Sequence, residues 1–280
     1  MLRTAKYTHL RELLEQCPVE ANNNKPLNPS SSRSYVVICS HCHFDHIGGI
    51  SQFTSGSIVA SATGKDFITN DLPEHSLCKL IGIPTPQYTV TCWAPDTSRL
   101  IFSPKYGANY EPSLGLLSDI ASSDATDLGI TIYNTPGHTP DSLAFYDHAE
   151  RHIYVGDSFY ELSSPKRHDI VYRGPIIFPK EGNWIKYLQS MNHLLREMRT
   201  LNQQRDDGVP RVKLSCGHST VGEDAEDLLS GILWEFHGII DGKVPIISEE
   251  EIRGEVHCLW HADKSKWAVR APKRLCEEAR

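Results

Sequence analysis

The stretch Cys39-Ser40-His41-Cys42-His43-Phe44-Asp45-His46-Ile47-Gly48-Gly49 constrains this chain more than any other. Three histidines and an aspartate fall within six residues, in the pattern His-x-His-x-Asp-His. The apolar run Tyr35-Val36-Val37-Ile38 leads into it, and such a run reads as a buried strand. The four polar residues then lie on a turn at the C-terminal end of a strand, where open α/β sheets place their ligands. Imidazole and carboxylate together suit zinc, iron or manganese. Six residues can aim four such groups inward, but aiming all of them at one ion would strain the loop, so two metals sharing it is the natural arrangement. With 14 histidines in 280 residues, chance supplies the pattern on the order of 0.002 times, which disfavours a merely solvated turn. Cys39 and Cys42 interleave with the histidines and cannot easily form a zinc knuckle of their own, so strand packing is their expected role.

The same structural place recurs downstream. A strand over 128–133 runs into Asn134-Thr135-Pro136-Gly137-His138-Thr139, and a strand over 152–155 runs into Gly156-Asp157. A strand over 211–215 runs into Cys216-Gly217-His218. Each of His138, Asp157 and His218 thus follows an apolar strand with a glycine beside it, and together with His41 to His46 they satisfy what a shared metal pocket requires. Further strands are expected at 57–61 and 143–146, with pieces at 88–93, 99–102, 255–260 and 266–270. Helices are expected over 4–16, from Trp184 to about Leu201 with Asn183 as N-cap, and through Ala225 to Phe236. The Trp184, Leu188, Met191, Leu195 and Met198 stripe is a core face. Residues 62–128, rich in proline, read as an insertion that borders the site within a single domain of 1–280.

Composition excludes several classes. A formal charge of −7 argues against nucleic-acid or anionic-membrane partners, which want a basic face. No apolar run approaches a membrane span, and the N-terminus has no secretory apolar core. Eight scattered cysteines fit reduced thiols in a cytoplasmic chain better than a disulfide framework. A small-molecule substrate is the expected partner.

At His41-x-His43-x-Asp45-His46, Pro136-Gly137-His138-Thr139, Gly156-Asp157 and Cys216-Gly217-His218 the chain resembles the metallo-β-lactamase superfamily, which includes glyoxalase II, lactonases, thioesterases and true lactamases. The resemblance implies an α/β fold, a four-layer αβ/βα sandwich with the site at the sheet edges. It implies that His41, His43 and His138 hold one metal, that Asp45, His46 and His218 hold a second, and that Asp157 bridges the two. Asp45 and Asp157 are therefore candidate catalytic residues, with two Zn2+ (Fe or Mn as substitutes) as cofactors. Asp157-Ser158-Phe159-Tyr160 is similar to the Asp-x-x-Tyr of the lactonase branch, which implies that Tyr160 donates to a developing oxyanion. Lys166, Arg167, Arg173 and Lys180 could meet a substrate carboxylate, although a solvated loop explains them as well.

One departure stands out. Members normally carry several strands and an Asp-rich turn before the His motif, whereas the 34 residues before Tyr35 read as one helix and a polar loop. The expectation is an N-terminally incomplete sandwich. Two divalent ions about 3.5–4 Å apart would hold a bridging hydroxide that attacks a lactone, ester, thioester or lactam. Two alternatives stand beside this reading: a mononuclear iron enzyme of the persulfide dioxygenase type, and a truncated, non-catalytic metal-binding fold.

Overall fold

The computed structural model describes residues 9–103, 107–111, 125–162 and 174–280. In chain order the elements are α1 (Leu10–Gln16), β1 (Val36–Ile38), α2 (Phe44–Ile47), β2 (Ser57–Ser61), α3 (Lys65–Asn70), α4 (Leu72–His75) and α5 (Cys78–Ile81). There follow β3 (Cys92–Ala94), β4 (Ser98–Ser103), β5 (Gly107–Glu111), β6 (Thr126–Asn134), β7 (Leu143–Asp147), β8 (His152–Tyr154) and β9 (Ile176–Ile177). The remainder comprises α6 (Trp184–Gln203), β10 (Lys213–Ser215), β11 (Glu223–Asp224), α7 (Ala225–Ile240), β12 (Ile246–Ile252), β13 (Glu255–Trp260), β14 (Val269–Pro272) and α8 (Lys273–Glu278).

These strands form three sheets: a parallel one of order β1-β2-β3, one of order β11-β10-β8-β7-β6-β4-β5, and one of order β12-β13-β14-β9. The two-residue period of a strand decides how the first two stack. Val59 of β2 faces Leu100, Ile132 and Leu143 of the seven-stranded sheet, while its neighbours Ile58 and Ala60 face Ile47, Ile50 and Ile68 on the helical side. On the far side of the large sheet, Tyr133, Ala144 and Tyr146 pack against α6 and α7. The result is helix, sheet, sheet, helix, the α/β architecture anticipated from the sequence. A strand covered on both faces should be apolar throughout, and every residue of β2 is buried.

The expected cap is present: Asn183 accepts a hydrogen bond from the Lys186 N–H at 2.8 Å. Asp224 caps α7 in the same way, accepting from the Asp227 N–H at 3.1 Å, and each satisfies a donor left over at its helix start. The α6 stripe is core, as its spacing indicated: Phe178, Trp184, Tyr187 and Phe236 meet with ring centroids 4.5–5.8 Å apart.

Several expectations need adjustment. The helix over 4–16 is described only as Leu10–Gln16, which buries no side chain. Residues 62–128 are not simply an insertion: β3 completes the parallel sheet, and β4 pairs with β6 in the large one. Proline-rich spacing concealed this, because those strands are short and separated by turns. The acidic Ile246–Ile252 strand is exposed nearly throughout and has no apolar alternation to betray it; its pairing with β13 creates it. Lys166, Arg167 and Arg173 lie outside the described residues, and Lys180 pairs at 3.7 Å with Glu181. All eight cysteines are free, with Cys39 and Cys42 buried in separate apolar clusters. No helix among the described residues is long and apolar enough to cross a membrane.

Because Phe236 is fully buried against the rings of Phe178, Trp184 and Tyr187, Phe236→Ala is expected to cost about 3–5 kcal/mol in a denaturant titration. A midpoint equal to that of the wild type would show that this cluster is not the core.

Candidate metal centre

Strand directions bring the polar turns together. β6 runs antiparallel to β7, β7 antiparallel to β8, and β8 parallel to β10, so the turns after β6, β8 and β10 all emerge at one end of the large sheet. The turn after β1 joins them there, because the Leu143 N–H donates to the Ser40 carbonyl at 2.8 Å. Each turn is then held separately. The Asn183 N–H and the Ser190 hydroxyl at the start of α6 donate to the Gly137 and Pro136 carbonyls, and the Gly217 N–H donates to the Gly156 carbonyl at 2.7 Å. On the first turn, the Phe44 N–H donates to the Ser76 carbonyl just beyond α4. α4 is itself tethered from afar, since Arg253 at the β12–β13 tip meets Glu74 at 2.6 Å.

Two groups of donor atoms result. His41, His43 and His138 form the first, all buried, with ligand atoms within 4.8 Å of one another; Asp45, His46, Asp157 and His218 form the second within the same limit. All seven residues singled out in the sequence as metal ligands are therefore brought together. The groups adjoin, with the His41 and His46 ring centroids 4.1 Å apart.

In the first group His43 Nδ1 lies 3.0 Å from His41 Nε2 and 3.2 Å from His138 Nε2. Burial, reinforced by neighbouring imidazoles, holds His41 and His43 well below the usual histidine range, and burial brings His138 down to about 4. Three neutral imidazoles cannot satisfy one another here, because a single nitrogen cannot be both donor to one ring and acceptor from the other without leaving a lone pair or a proton stranded. A cation at their shared centre would use three lone pairs at once. The spacing suits it, since tetrahedral zinc with nitrogens at about 2.0–2.1 Å sets its ligands about 3.3 Å apart. The donor set fits a transition metal.

In the second group the two Asp157 oxygens lie 3.1 Å from His46 Nε2 and 2.9 Å from His218 Nε2. Burial pushes the Asp157 carboxyl up, but hydrogen bonds from His218 and His46 outweigh it and hold the group well below the carboxylate range. Burial likewise opposes charge on His46, yet the Asp157 bond and charge raise it overall. Asp45 stands at the exposed rim, 3.8 Å from His46 Nε2 and 3.7 Å from His218 Nε2.

Tyr160 takes a different posture from the one expected of an oxyanion donor. Its ring meets His218 edge-on at 4.8 Å, while its hydroxyl donates to the Pro175 carbonyl at 3.0 Å. Sequence reading missed Ser40, whose hydroxyl lies 3.3 Å from His41 Nδ1 and 3.4 Å from His46 Nδ1 and so orients a ring in each group. Only its place inside the motif hinted at this. Two glycines are also required by space: a Cβ on Gly217 would fall 2.4 Å from Asp157 Oδ1, and one on Gly156, at φ +53°, would fall 2.8 Å from Ser40 Cβ.

The family model described as the metallo-beta-lactamase superfamily matches residues 36–197, more than half of the chain and a span that holds six of the seven ligand positions. The chain belongs to the metallo-β-lactamase superfamily. A curated relative from Aspergillus versicolor, named "Putative transcription factor avaE", is 27% identical over 248 residues, covering 87% of this chain and 64% of that protein. The chain therefore spans less than two thirds of that relative's length. Among solved structures, a metallo-β-lactamase from Pontibacter korlensis shares 15% identity at a TM-score of 0.40, covering 73% of this chain and 70% of that one. The B3 metallo-β-lactamase BLEG-1 shares 19% identity at a TM-score of 0.40, covering 72% and 75%. Superfamily membership together with the two His/Asp groups gives this chain a metal-binding, hydrolase-like fold.

Gly217→Ala is expected to displace Asp157 and His46 while leaving the His41, His43 and His138 group intact. Elemental analysis of the folded variant should then give one ion fewer per chain than the wild type. An unchanged metal content would show that the close approach at Gly217 is dispensable.

Proposed function

We propose that this chain is a dinuclear zinc-dependent hydrolase that cleaves a lactone, ester, thioester or lactam. The observation that carries the proposal is the adjacency of two compact ligand groups, each with three or more donor atoms, joined through the His41–His46 contact and with Asp157 between His46 and His218. Two ions bound there would supply Lewis acidity and a nucleophile drawn from water near neutral pH.

The chain's own residues prepare that chemistry. His41, His43 and His138 stay neutral through burial and so offer lone pairs rather than protons. Ser40 fixes the orientation of one ring in each group, and both carboxylates, Asp157 and Asp45, belong to the second group, with the Asp157 charge reaching the first as well. Two carboxylates offset half the charge of two divalent ions, leaving a site that favours an anionic transition state. The tilt of charge makes the His41, His43 and His138 group the stronger electrophile and the natural partner of a substrate carbonyl oxygen. Tyr160, with its hydroxyl on Pro175, serves as the wall that packs His218.

Exhaustive chelation should abolish hydrolysis across a panel of chromogenic lactones, thioesters and lactams, and zinc should restore it. Asp157→Asn should lower kcat roughly a hundredfold or more, as loss of a metal-ion contribution demands. Full turnover by metal-free protein would end the proposal, and one iron per chain in place of two zinc would redirect it to iron oxygenase chemistry. Tyr160→Phe should leave kcat on lactones within about threefold of wild type, because no substrate-facing hydrogen bond is removed; a larger fall would restore Tyr160 as oxyanion donor.

A further inference from the structure

Asp141 is a buried acid that the centre described above does not use. It lies in the turn between His138 and β7 and is 1% exposed, and both of its carboxylate oxygens are shut off from solvent. Among the described residues no basic side chain forms an ion pair with it. Burial accordingly pushes the Asp141 carboxyl up, and holding it ionised requires a compensating charge close by.

Only neutral donors, from Thr139 and Cys42, come near its oxygens, and the surroundings narrow the search for that charge. The chain at Gly64 closes over the turn so tightly that a Cβ there would sit 2.2 Å from Asp141 Cα and Cβ. Thr139 approaches the carboxylate from its own turn, and Cys42 faces it with both thiol and N–H. Near it stand Cys39, pushed up to about 12 by burial and then by Asp141, and the buried, unpartnered Tyr88 hydroxyl, also raised chiefly by burial. All of these neighbours are uncharged at neutral pH. Positive charge is due at the metal centre, where His46 already feels the Asp141 carboxylate. Cys42 separates His41 from His43, whose ring nitrogens converge on the other side of that loop. The Leu143 N–H to Ser40 carbonyl bond clamps the Asp141 turn against the same loop.

We propose that Asp141 is a positioning residue of the metal centre, bracing Cys42 between the two histidine ligands and placing a buried negative charge behind the ions. The inference rests on the metal-centre reading and deepens it: the acid that braces this loop comes from the His138 turn. It predicts a specific division between fold and metal affinity, because an uncompensated acid burdens the metal-free protein and helps only the loaded one.

The test measures zinc affinity by competition with a chelator, and the thermal midpoint of the metal-free protein, for wild type, Asp141→Asn and Asp141→Ala. Asn keeps the size and removes the charge. It should leave the metal-free midpoint unchanged or raised while weakening zinc binding about 10–100-fold, the usual consequence of losing support behind a ligand. Ala should weaken binding at least as much. Equal zinc affinity in wild type and Asn would overturn the proposal, as would affinity losses that merely track a fall in the metal-free midpoint. Should neither Asp141 variant fold, Cys42→Ser and Cys42→Ala replace them: Ser, which keeps a donor, should bind zinc within about threefold of wild type, and Ala should bind more weakly. Equal binding by those two overturns the proposal. A wild-type protein that binds no zinc sinks the metal-centre reading itself, and the wild-type arm shows that before any variant is compared.

Discussion

A carboxylate with a histidine on each oxygen is the interaction on which this structure turns. Asp157 is buried, which alone would push it toward the neutral acid, and His46 is buried, which alone would keep it uncharged. Each offsets the other's desolvation, so the pair survives in a place where either residue by itself would be costly. The Asp157 charge also reaches the three other imidazoles, but burial outweighs it and they stay neutral, crowded nitrogen to nitrogen. One half of the site is thus anionic and the other half is pure lone pair. That asymmetry gives the two halves different chemistry even though both are built from histidine.

Such a cluster does not hold itself together, and the scaffold supplies the restraint. The four polar turns come from four strands and are anchored by backbone hydrogen bonds: the first to Ser76 and Leu143, the second to the start of α6, and the third and fourth to each other through Gly156 and Gly217. Apolar packing is concentrated elsewhere, in the aromatic core between α6, α7 and the four-stranded sheet. The separation has a physical reason. Packing gains scale with apolar area, and a site of desolvated ligands contributes little of it.

The sheet sandwich also explains why the proline-rich middle of the chain matters. β3 and β4 enter different sheets within a few residues of each other, so the segment links the two layers whose facing sides are Val59 and Leu100. The Arg253–Glu74 contact adds a second link, from the far C-terminal hairpin to the helix that backs the first ligand turn. Support for that turn therefore reaches it from α4 and, through Gly64 and Asp141, from the large sheet's own connecting loop.

The residues of the centre were legible in the chain because metal ligation demands rare side chains at short spacing, and because each followed a strand whose apolar run announces itself. His41, His43, Asp45, His46, His138, Asp157 and His218 could be read that way, as could the cap at Asn183 and the apolar face of α6. Other features could not. β9 and β12 exist only by pairing, Ser40 matters only because two rings flank it, and the posture of Tyr160 depends on a carbonyl 15 residues away. Asp141 looked like any turn acid until burial closed over it. Local sequence determines which donors exist and which segments form strands and helices, because propensity and periodicity act over a few residues. Which groups face one another, and which are cut off from water, is decided only when strands distant in sequence share a sheet.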